Sequence, residues 1–140
     1  MSISPPPPTI RYVNPPTLAN SPGYSQVVEA RPARSVYVSG QVALDRDGNP
    51  VGAGDLRAQT EQVFLNLQAA LAAVGAGFTH VVKLTYFVTE LDQDKLMLIR
   101  EVRGRYLDVS QAPASTLVQV VKLFRPELLI EVDAIALIPE

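Results

Sequence analysis

Cysteine is absent from all 140 residues, which excludes disulfides, thiolate catalysis and cysteine-based zinc or iron–sulfur sites. The single histidine, His80, excludes any metal site that needs two histidines. Its position between Gly77-Phe78-Thr79 and a strand-like run predicts a surface loop. GxGxxG, Walker A and GxSxG motifs are also missing. Any chemistry of this protein is therefore expected to need neither a metal nor a cofactor.

An excess of basic charge is missing as well. The net charge is −2 and the isoelectric point is about 5.4, so the broad basic surface typical of nucleic-acid-binding proteins is not expected. No apolar run approaches the roughly 20 residues that span a bilayer. The first residues, Met1-Ser2-Ile3-Ser4, carry no basic side chain and lead straight into four prolines, unlike a signal peptide. We expect a cytoplasmic protein that contacts neither membranes nor nucleic acids.

Proline is concentrated near the N-terminus, where residues 1–23 hold seven of the twelve. Proline blocks helices and central strands, so we predict a disordered tail over residues 1–9. The remaining residues, 10–140, are enough for one domain with a single core. After a short strand at residues 11–13, two β-rich runs at 26–30 and 35–39 flank Pro32 and predict a β-hairpin.

Hydrophobic periodicity predicts a first helix from Asp55 as N-cap to Val74, stopped by Gly75 and Gly77. Strict alternation predicts a strand over residues 80–89, with Val82, Leu84, Tyr86 and Val88 on one face. A second helix is predicted over residues 92–107. Its three arginines are offset by nearby acids and predict a solvated face: Arg100, Arg103 and Arg105 against Asp94, Glu101 and Asp108.

Two more strands are predicted at residues 113–120 and 130–136, separated by a loop around Pro126. The order of hairpin, helix, strand, helix, strand and strand predicts an α+β fold with both helices on one face of a sheet. The other face has no third layer, yet it is expected to carry apolar residues: Val81, Phe87, Leu129, Ile135 and Leu137. A second copy of the chain would cover it, so we predict a homo-oligomer.

Several short motifs follow one another in a fixed order over residues 10–138. They are Gly23-Tyr24-Ser25-Gln26, Val38-Ser39-Gly40-Gln41-Val42, Gln59-Thr60 with Asn66-Leu67, Val82-Lys83-Leu84-Thr85 with Phe87-Val88, Pro113-Ala114-Ser115, and Ile130-Glu131-Val132-Asp133-Ala134. This series resembles the Rid family, also called YjgF or reactive-intermediate deaminases, whose best-characterised members hydrolyse enamines and imines. The resemblance implies a chorismate-mutase-like mixed β-sheet with two helices packed on one face. It also implies a homotrimer whose sheets line a central barrel, with ligand clefts between subunits.

The same resemblance implies roles for single residues. Glu131 matches the glutamate that positions or activates the hydrolytic water, and Tyr24 matches a tyrosine near the N-terminal strand, so both are candidate catalytic residues. Ser115 stands where the family has an arginine that grips the substrate carboxylate, and a serine hydroxyl cannot replace that two-pronged donor. Simple 2-imino acids are therefore expected to be poor substrates. The implied substrate-binding residues are Ser39, Gly40, Asp92, Ser115, Thr116 and Leu117.

Structural roles compete with these functional ones. Asp92 opens the second helix and has the residue type of an N-cap, while a strand-end serine such as Ser39 often binds backbone. Tyr24 follows a Pro-Gly turn, where a tyrosine more often packs than reacts, and Ser115 and Thr116 also suit an ordinary strand. Glu131 has Asp133 on the same strand face, which should raise its pKa if it is buried; both functional bases and structural acids behave in this way.

Three hypotheses of different class remain open. The first is a hydrolase of the deaminase type that acts on an imine, enamine or related small metabolite other than a simple 2-imino acid. The second is a non-catalytic small-molecule-binding or chaperone-like trimer that uses the same cleft. The third is the endoribonuclease activity known for some family members, which the acidic net charge disfavours because RNA affinity depends on neutralising phosphates.

Overall fold

The computed structural model describes residues 10–18, 20, 22–31 and 33–139. Two helices, α1 and α2, alternate with strands in an α+β arrangement. The elements in chain order are β1 (Ile10–Val13), β2 (Val27–Ala30), β3 (Ala33–Val42), α1 (Leu56–Ala72), β4 (Val81–Thr89), α2 (Gln93–Arg103), β5 (Ala114–Val120) and β6 (Ile130–Pro139). The predicted tail over residues 1–9 lies outside the described residues.

Both helices begin at the predicted caps. Asp55 accepts a hydrogen bond from the Ala58 amide at 3.1 Å, and Asp92 accepts one from the Lys95 amide at 2.8 Å. Helix α2 ends at Arg103, earlier than predicted, because Gly104 follows and glycine weakens a helix. His80, predicted in a surface loop, is partly buried in a short 3₁₀ turn where its Nδ1 accepts from the Gly77 amide at 3.0 Å.

Four strands form a mixed sheet in the order β3-β6-β4-β5. Strand β6 pairs antiparallel with both β3 and β4, whereas β5 runs parallel to β4. Alternate residues of β4 and β6 are buried against both helices in one core. An aromatic group fixes α1 to β4 and to the segment after α2: the Phe64 ring lies 6.4 Å from the Tyr86 ring and 5.1 Å from the Tyr106 ring. One face of the sheet is thereby sealed.

The predicted β-hairpin around Pro32 is wrong. Strand β2 pairs with β1 in a separate two-stranded sheet, whereas β3 pairs with β6. The register explains the choice, because Val36 and Val38 of β3 lie opposite Ala136 and Ala134 of β6 on the core side, where the two alanines are buried and the two valines are partly buried. Local proximity favoured a hairpin, but burial of apolar surface favoured the distant partner.

The opposite face of the sheet has no covering layer among the described residues. It carries Tyr37, Phe87, Val118, Ile135 and Leu137, as the strand pairings show. Val81 and Leu129 were predicted there and are not: a register shift between Val81 and Lys83 turns Val81 into the core, where it is 1% exposed, and Leu129 packs against the core. Below, this surface is called the open face.

No helix among the described residues has the length and apolar character to cross a membrane.

Candidate functional site

Glu131 and Gly40 form the first part of the candidate site. Glu131 lies on the open face of β6, opposite Val42 of β3 and Phe87 of β4. The β3–β6 register shifts between Val38 and Gln41, so Ser39 and Gly40 bulge out of the ladder. The Glu131 carboxylate rests on Gly40, where an added Cβ would fall only 2.5 Å from Oε2. Glycine at this position therefore makes the room that the carboxylate occupies.

The electrostatic setting of Glu131 suits a proton acceptor. Partial burial, and secondly the negative charge of Asp133, raise the pKa of the Glu131 carboxyl above its usual 4.5. Asp133 shares the open face two residues further along β6, opposite Thr85 of β4. A base whose pKa moves toward neutrality can take a proton from water and return it. The raised pKa that the sequence predicted is confirmed in direction.

A second group of candidates surrounds the start of β5. The Ser25 amide donates to the Pro113 carbonyl at 3.0 Å, and the Ser25 hydroxyl donates to the Ala112 carbonyl at 2.5 Å. An isolated parallel bridge also joins Ser25 to Ala114. These contacts place the segment that carries the partly exposed Tyr24 beside the start of β5.

The three candidates on β5 do not share one face. Ser115 pairs with Leu84 and Leu117 pairs with Tyr86, so both side chains belong to the helix side of the sheet. Thr116 pairs with Thr85 on the open face, where its hydroxyl accepts a 2.6 Å hydrogen bond from Lys83 Nζ. Successive strand residues point to opposite faces, so these three residues cannot line a single surface within the chain.

Asp92 has a structural task. Its carboxylate caps α2, and the preceding Leu91 amide donates to Gln119 Oε1 at 2.9 Å, which ties the turn before α2 to β5. The prediction that Asp92 is an N-cap is confirmed. A contact between Asp92 and a substrate stays a prediction.

One chain does not bring the two groups together. Glu131 lies on β6 and Ser115 on β5, with β4 between them, so two strand spacings or about 10 Å separate their strands. Their side chains also point to opposite faces, since Glu131 pairs with Phe87 and Ser115 with Leu84. A ligand that contacts both Glu131 and Ser115 would need residues from two chains.

Comparison with known proteins decides the family. The sequence model of the family described as Endoribonuclease L-PSP matches residues 16–138. The chain belongs to the Rid (YjgF/UK114) family. It is 42% identical to Protein DfrA of Myxococcus xanthus over 113 residues, which cover 81% of this chain and 83% of that protein. It is 30% identical to human 2-iminobutanoate/2-iminopropanoate deaminase over 123 residues, with 85% of each chain covered.

The fold of the chain agrees with solved Rid structures. The Rid-family protein YyfB of Yersinia pestis, described as of unknown function, superimposes with a TM-score of 0.85 at 36% identity, covering 92% of this chain and 98% of that one. RidA from an Antarctic Psychrobacter gives a TM-score of 0.67 at 31% identity, covering 86% and 92%. The predicted α+β fold with two helices on a mixed sheet is thereby confirmed.

Gln59 and Asn66 of α1 hold the backbone near Glu131 in place. In the sequence they stood out only as part of the Rid-family motifs. Gln59 is 1% exposed; its Nε2 donates to the Gly52 and Glu127 carbonyls, and its Oε1 accepts from the Leu129 amide at 2.8 Å. Asn66 donates to the Val42 and Leu44 carbonyls just after the bulge. A helical wheel could have found Gln59, because it falls on the same face as Leu56 and Val63.

An open cleft of about 560 Å³ borders the bulge of this Rid protein. Its wall includes Gly40, Asn66, Arg46 and Phe124, but Glu131 is not among the lining residues, so the cleft adjoins the carboxylate and does not enclose it. Arg125 lies in the loop beside it, where its guanidinium donates to the Gly48 carbonyl at 3.0 Å and lies 5.7 Å from the Phe124 ring. Among the described residues, no three acidic, histidine or cysteine side chains come close enough to hold a metal ion.

Proposed function

We propose that this Rid protein is a cofactor-independent hydrolase of the deaminase type, which acts on an imine, enamine or related small metabolite in a cleft between subunits. The observation that carries this proposal is the position of Glu131. A partly buried carboxylate with a raised pKa lies against a glycine that leaves space for it, beside an open cleft. The family relationship to 2-iminobutanoate/2-iminopropanoate deaminases supports the reaction class.

The chemistry needs one base that takes a proton and gives it back. Water attacks the imine carbon while Glu131 accepts one water proton and passes it to the imine nitrogen, which gives a carbinolamine. Glu131 then accepts the proton of the carbinolamine hydroxyl and passes it to the amino nitrogen, so the carbon–nitrogen bond breaks, ammonia leaves and the carbonyl forms. One imine and one water thus give one carbonyl compound and one ammonia. General-base catalysis of this kind contributes about 10²- to 10⁴-fold.

Simple 2-imino acids fit this cleft poorly. Ser115 stands where the Rid resemblance places a carboxylate-binding arginine, and its hydroxyl offers one neutral hydrogen bond in place of a charged fork. Hydrogen bonds to charged groups contribute roughly 1.5–3 kcal/mol. We therefore propose a substrate other than a 2-imino acid, and we keep Tyr24, Ser39, Gly40, Leu117 and Thr116 as residues that would shape its cleft.

We further propose that the cleft is completed in a homotrimer. Two observations support self-association: the candidate residues fall into two groups that one chain keeps apart, and apolar side chains populate the open face. Val121 and Phe124, in the loop that follows β5, are also 95% and 65% exposed. Light scattering at micromolar concentration should give three times the 15.2 kDa mass of the chain. A stable monomer or dimer would contradict this.

Turnover should be measured on a panel of imines. Oxidases that act on amines and on amino acids would generate uncharged imines and 2-imino acids in place, and a nucleophilic trap would compete with hydrolysis. We expect the protein to release ammonia from at least one imine outside the 2-imino acids faster than that imine hydrolyses without protein. The rate of this turnover should fall by about 10²- to 10⁴-fold in Glu131→Gln.

If the protein accelerates the hydrolysis of no imine but still binds small ligands, the non-catalytic binding hypothesis replaces this proposal. Equal turnover by the wild type and by folded Glu131→Gln would show that Glu131 is structural. The net charge of −2 continues to disfavour the endoribonuclease hypothesis.

A further inference from the structure

Arg103, the last residue of α2, is only partly exposed, whereas the sequence predicted a solvated face. Its side chain is partly buried and its guanidinium packs against the backbone of Gly23, so closely that a Cβ there would collide with it. Gly23 also has a φ of 77°, which favours glycine. The chain is thus shaped around this guanidinium.

The charge of Arg103 has no carboxylate to balance it in the part of the chain that the structure describes. Two nearby arginines are paired, since Arg57 bridges to Glu101 at 3.0 Å and Arg105 bridges to Glu61 at 2.6 Å. A partly buried cation without a counter-ion is costly, because burial removes water that would otherwise solvate it. An anionic ligand would remove that cost.

The hydroxyl of Tyr86 lies beside Arg103 and is itself buried without a hydrogen-bond partner of good geometry among the described residues. Burial raises the pKa of Tyr86 to about 12, although the Arg103 cation opposes the increase. The phenol therefore stays neutral at physiological pH and cannot balance the guanidinium. The Arg103 guanidinium and the Tyr86 hydroxyl are therefore two adjacent donors that a hydrogen-bond acceptor of a ligand could satisfy.

Arg103 also lies on the correct side of the sheet to meet the second group of candidates. Tyr24 directly follows Gly23, which contacts the guanidinium, and the Ser25 hydrogen bonds fix this segment to the start of β5. Ser115 faces the same helix side of the sheet as Tyr86, two residues apart in the β4–β5 register. All of Tyr24, Arg103 and Ser115 are partly exposed, so solvent reaches this surface.

We propose that Arg103 binds the acidic group of a small organic carboxylate, beside the buried hydroxyl of Tyr86. This inference rests on the proposed function for the identity of the cleft and adds the chemical class of its ligand. The acidic group is held from α2 and not from β5, so it lies in a different place from the carboxylate of a 2-imino acid gripped at position 115.

Binding of stable carboxylates tests the inference without any need for turnover. Titration calorimetry would use 2-oxobutanoate, 2-oxoglutarate and glutarate, with the neutral methyl ester of 2-oxobutanoate as the uncharged probe. Arg103→Met removes the charge and keeps the length of the side chain. Arg105→Met is the matched control, because it removes the same charge from a position two residues after Arg103, where the side chain pairs with Glu61.

At least one acid should bind the wild type and Arg105→Met equally, and bind Arg103→Met about 10- to 100-fold more weakly. Arg103→Lys should be intermediate because it keeps the charge and loses the planar fork, and it serves as the test if Arg103→Met does not fold. The inference is overturned if Arg103→Met keeps wild-type affinity, or if no acid binds the wild type at concentrations on the order of 10 mM.

The same titrations in Glu131→Gln separate this inference from the proposed function. Carboxylate binding that persists in Glu131→Gln and depends on Arg103 supports the inference even if the protein hydrolyses no imine. Binding of 2-oxobutanoate that is tighter than that of the longer acids would instead remove the proposed restriction against 2-imino acids, while leaving Arg103 as the carboxylate ligand.

Discussion

Gly40→Ala should disable the site while leaving the fold almost unchanged. An alanine Cβ would lie 2.5 Å from Oε2, 2.7 Å from Cδ and 3.0 Å from Cγ of Glu131, whereas ordinary contacts begin at 3.4 Å. The carboxyl group must therefore retreat by about 1 Å, and a displacement of that size can cost on the order of 10²-fold in rate. We expect turnover to fall by about that factor.

Stability should change much less, because two effects oppose each other. Overpacking costs about 1–3 kcal/mol in a tight core, and the partly exposed end of a glutamate lies at the mild end of that range. Replacing glycine by alanine stabilises by about 0.5–1 kcal/mol through the unfolded chain, and Gly40 has no positive φ that would cancel this gain. The free energy of unfolding in urea should stay within about 1 kcal/mol of wild type.

Gly77→Ala is the control for this prediction. Gly77 has a φ of −141° and a Cβ there would meet nothing within 4 Å, so the same substitution should be neutral. In a Glu131→Ala background, Gly40→Ala should add no further loss, because the displaced atoms are gone. Wild-type turnover in a folded Gly40→Ala protein would refute the argument that the glycine serves the carboxylate.

Three further predictions concern stability. Glu131→Gln should be more stable than wild type at pH 7: the raised folded pKa means that wild type loses stability as pH rises above about 4.5, so urea unfolding should show a gap at pH 7 that closes near pH 3. Tyr86→Phe should raise the free energy of unfolding by about 1 kcal/mol, because it removes a buried hydroxyl without a hydrogen-bond partner among the described residues. The variant should also lack the loss of stability that wild type shows between pH 10 and about pH 12. Lower stability than wild type at pH 7 would show that Arg103 already satisfies the hydroxyl. Gln59→Leu should cost roughly 2–4 kcal/mol in urea because it orphans two carbonyls and the Leu129 amide, whereas the exposed Gln68→Leu should stay within about 0.5 kcal/mol; equal midpoints would contradict this.

The sequence predicted the parts of the fold that depend on local chemistry. Helix α1 and its Asp55 cap, the Asp92 cap of α2 and the alternation of β4 from Leu84 onward follow from residue type and spacing alone. The partner of β3 did not follow, because pairing with β6 joins residues about 100 positions apart along the chain and depends on shared burial of Val36 and Val38. A register shift that sends Val81 into the core leaves no mark on the alternation of β4 itself.

The candidate site was predictable as a list of residues and not as an arrangement. The raised pKa of Glu131 could be argued from Asp133, since residues two apart on a strand share a face. The contact between Glu131 and Gly40 could not, because it requires the bulge in β3. Arg103 was misjudged because a count of neighbouring acids treats charges on a helix as solvated. The guanidinium instead meets Gly23 and Tyr86, which are distant in sequence.

The alternation of side chains along β5 bears on which cation could bind an acidic ligand, because a cation near Ser115 need not come from β5 itself. Ser115 and Leu117 face the helix side of the sheet, where α2 ends, whereas Thr116 faces Lys83 on the open face. A ligand group held near Ser115 would therefore lie on the helix side of the sheet, where the Gly23–Ser25 segment meets the start of β5. A cation on α2 or on that segment could act on it without belonging to β5. If Arg103 binds the ligand as proposed, a guanidinium on α2 would hold an acidic group in a different position from a cation at residue 115.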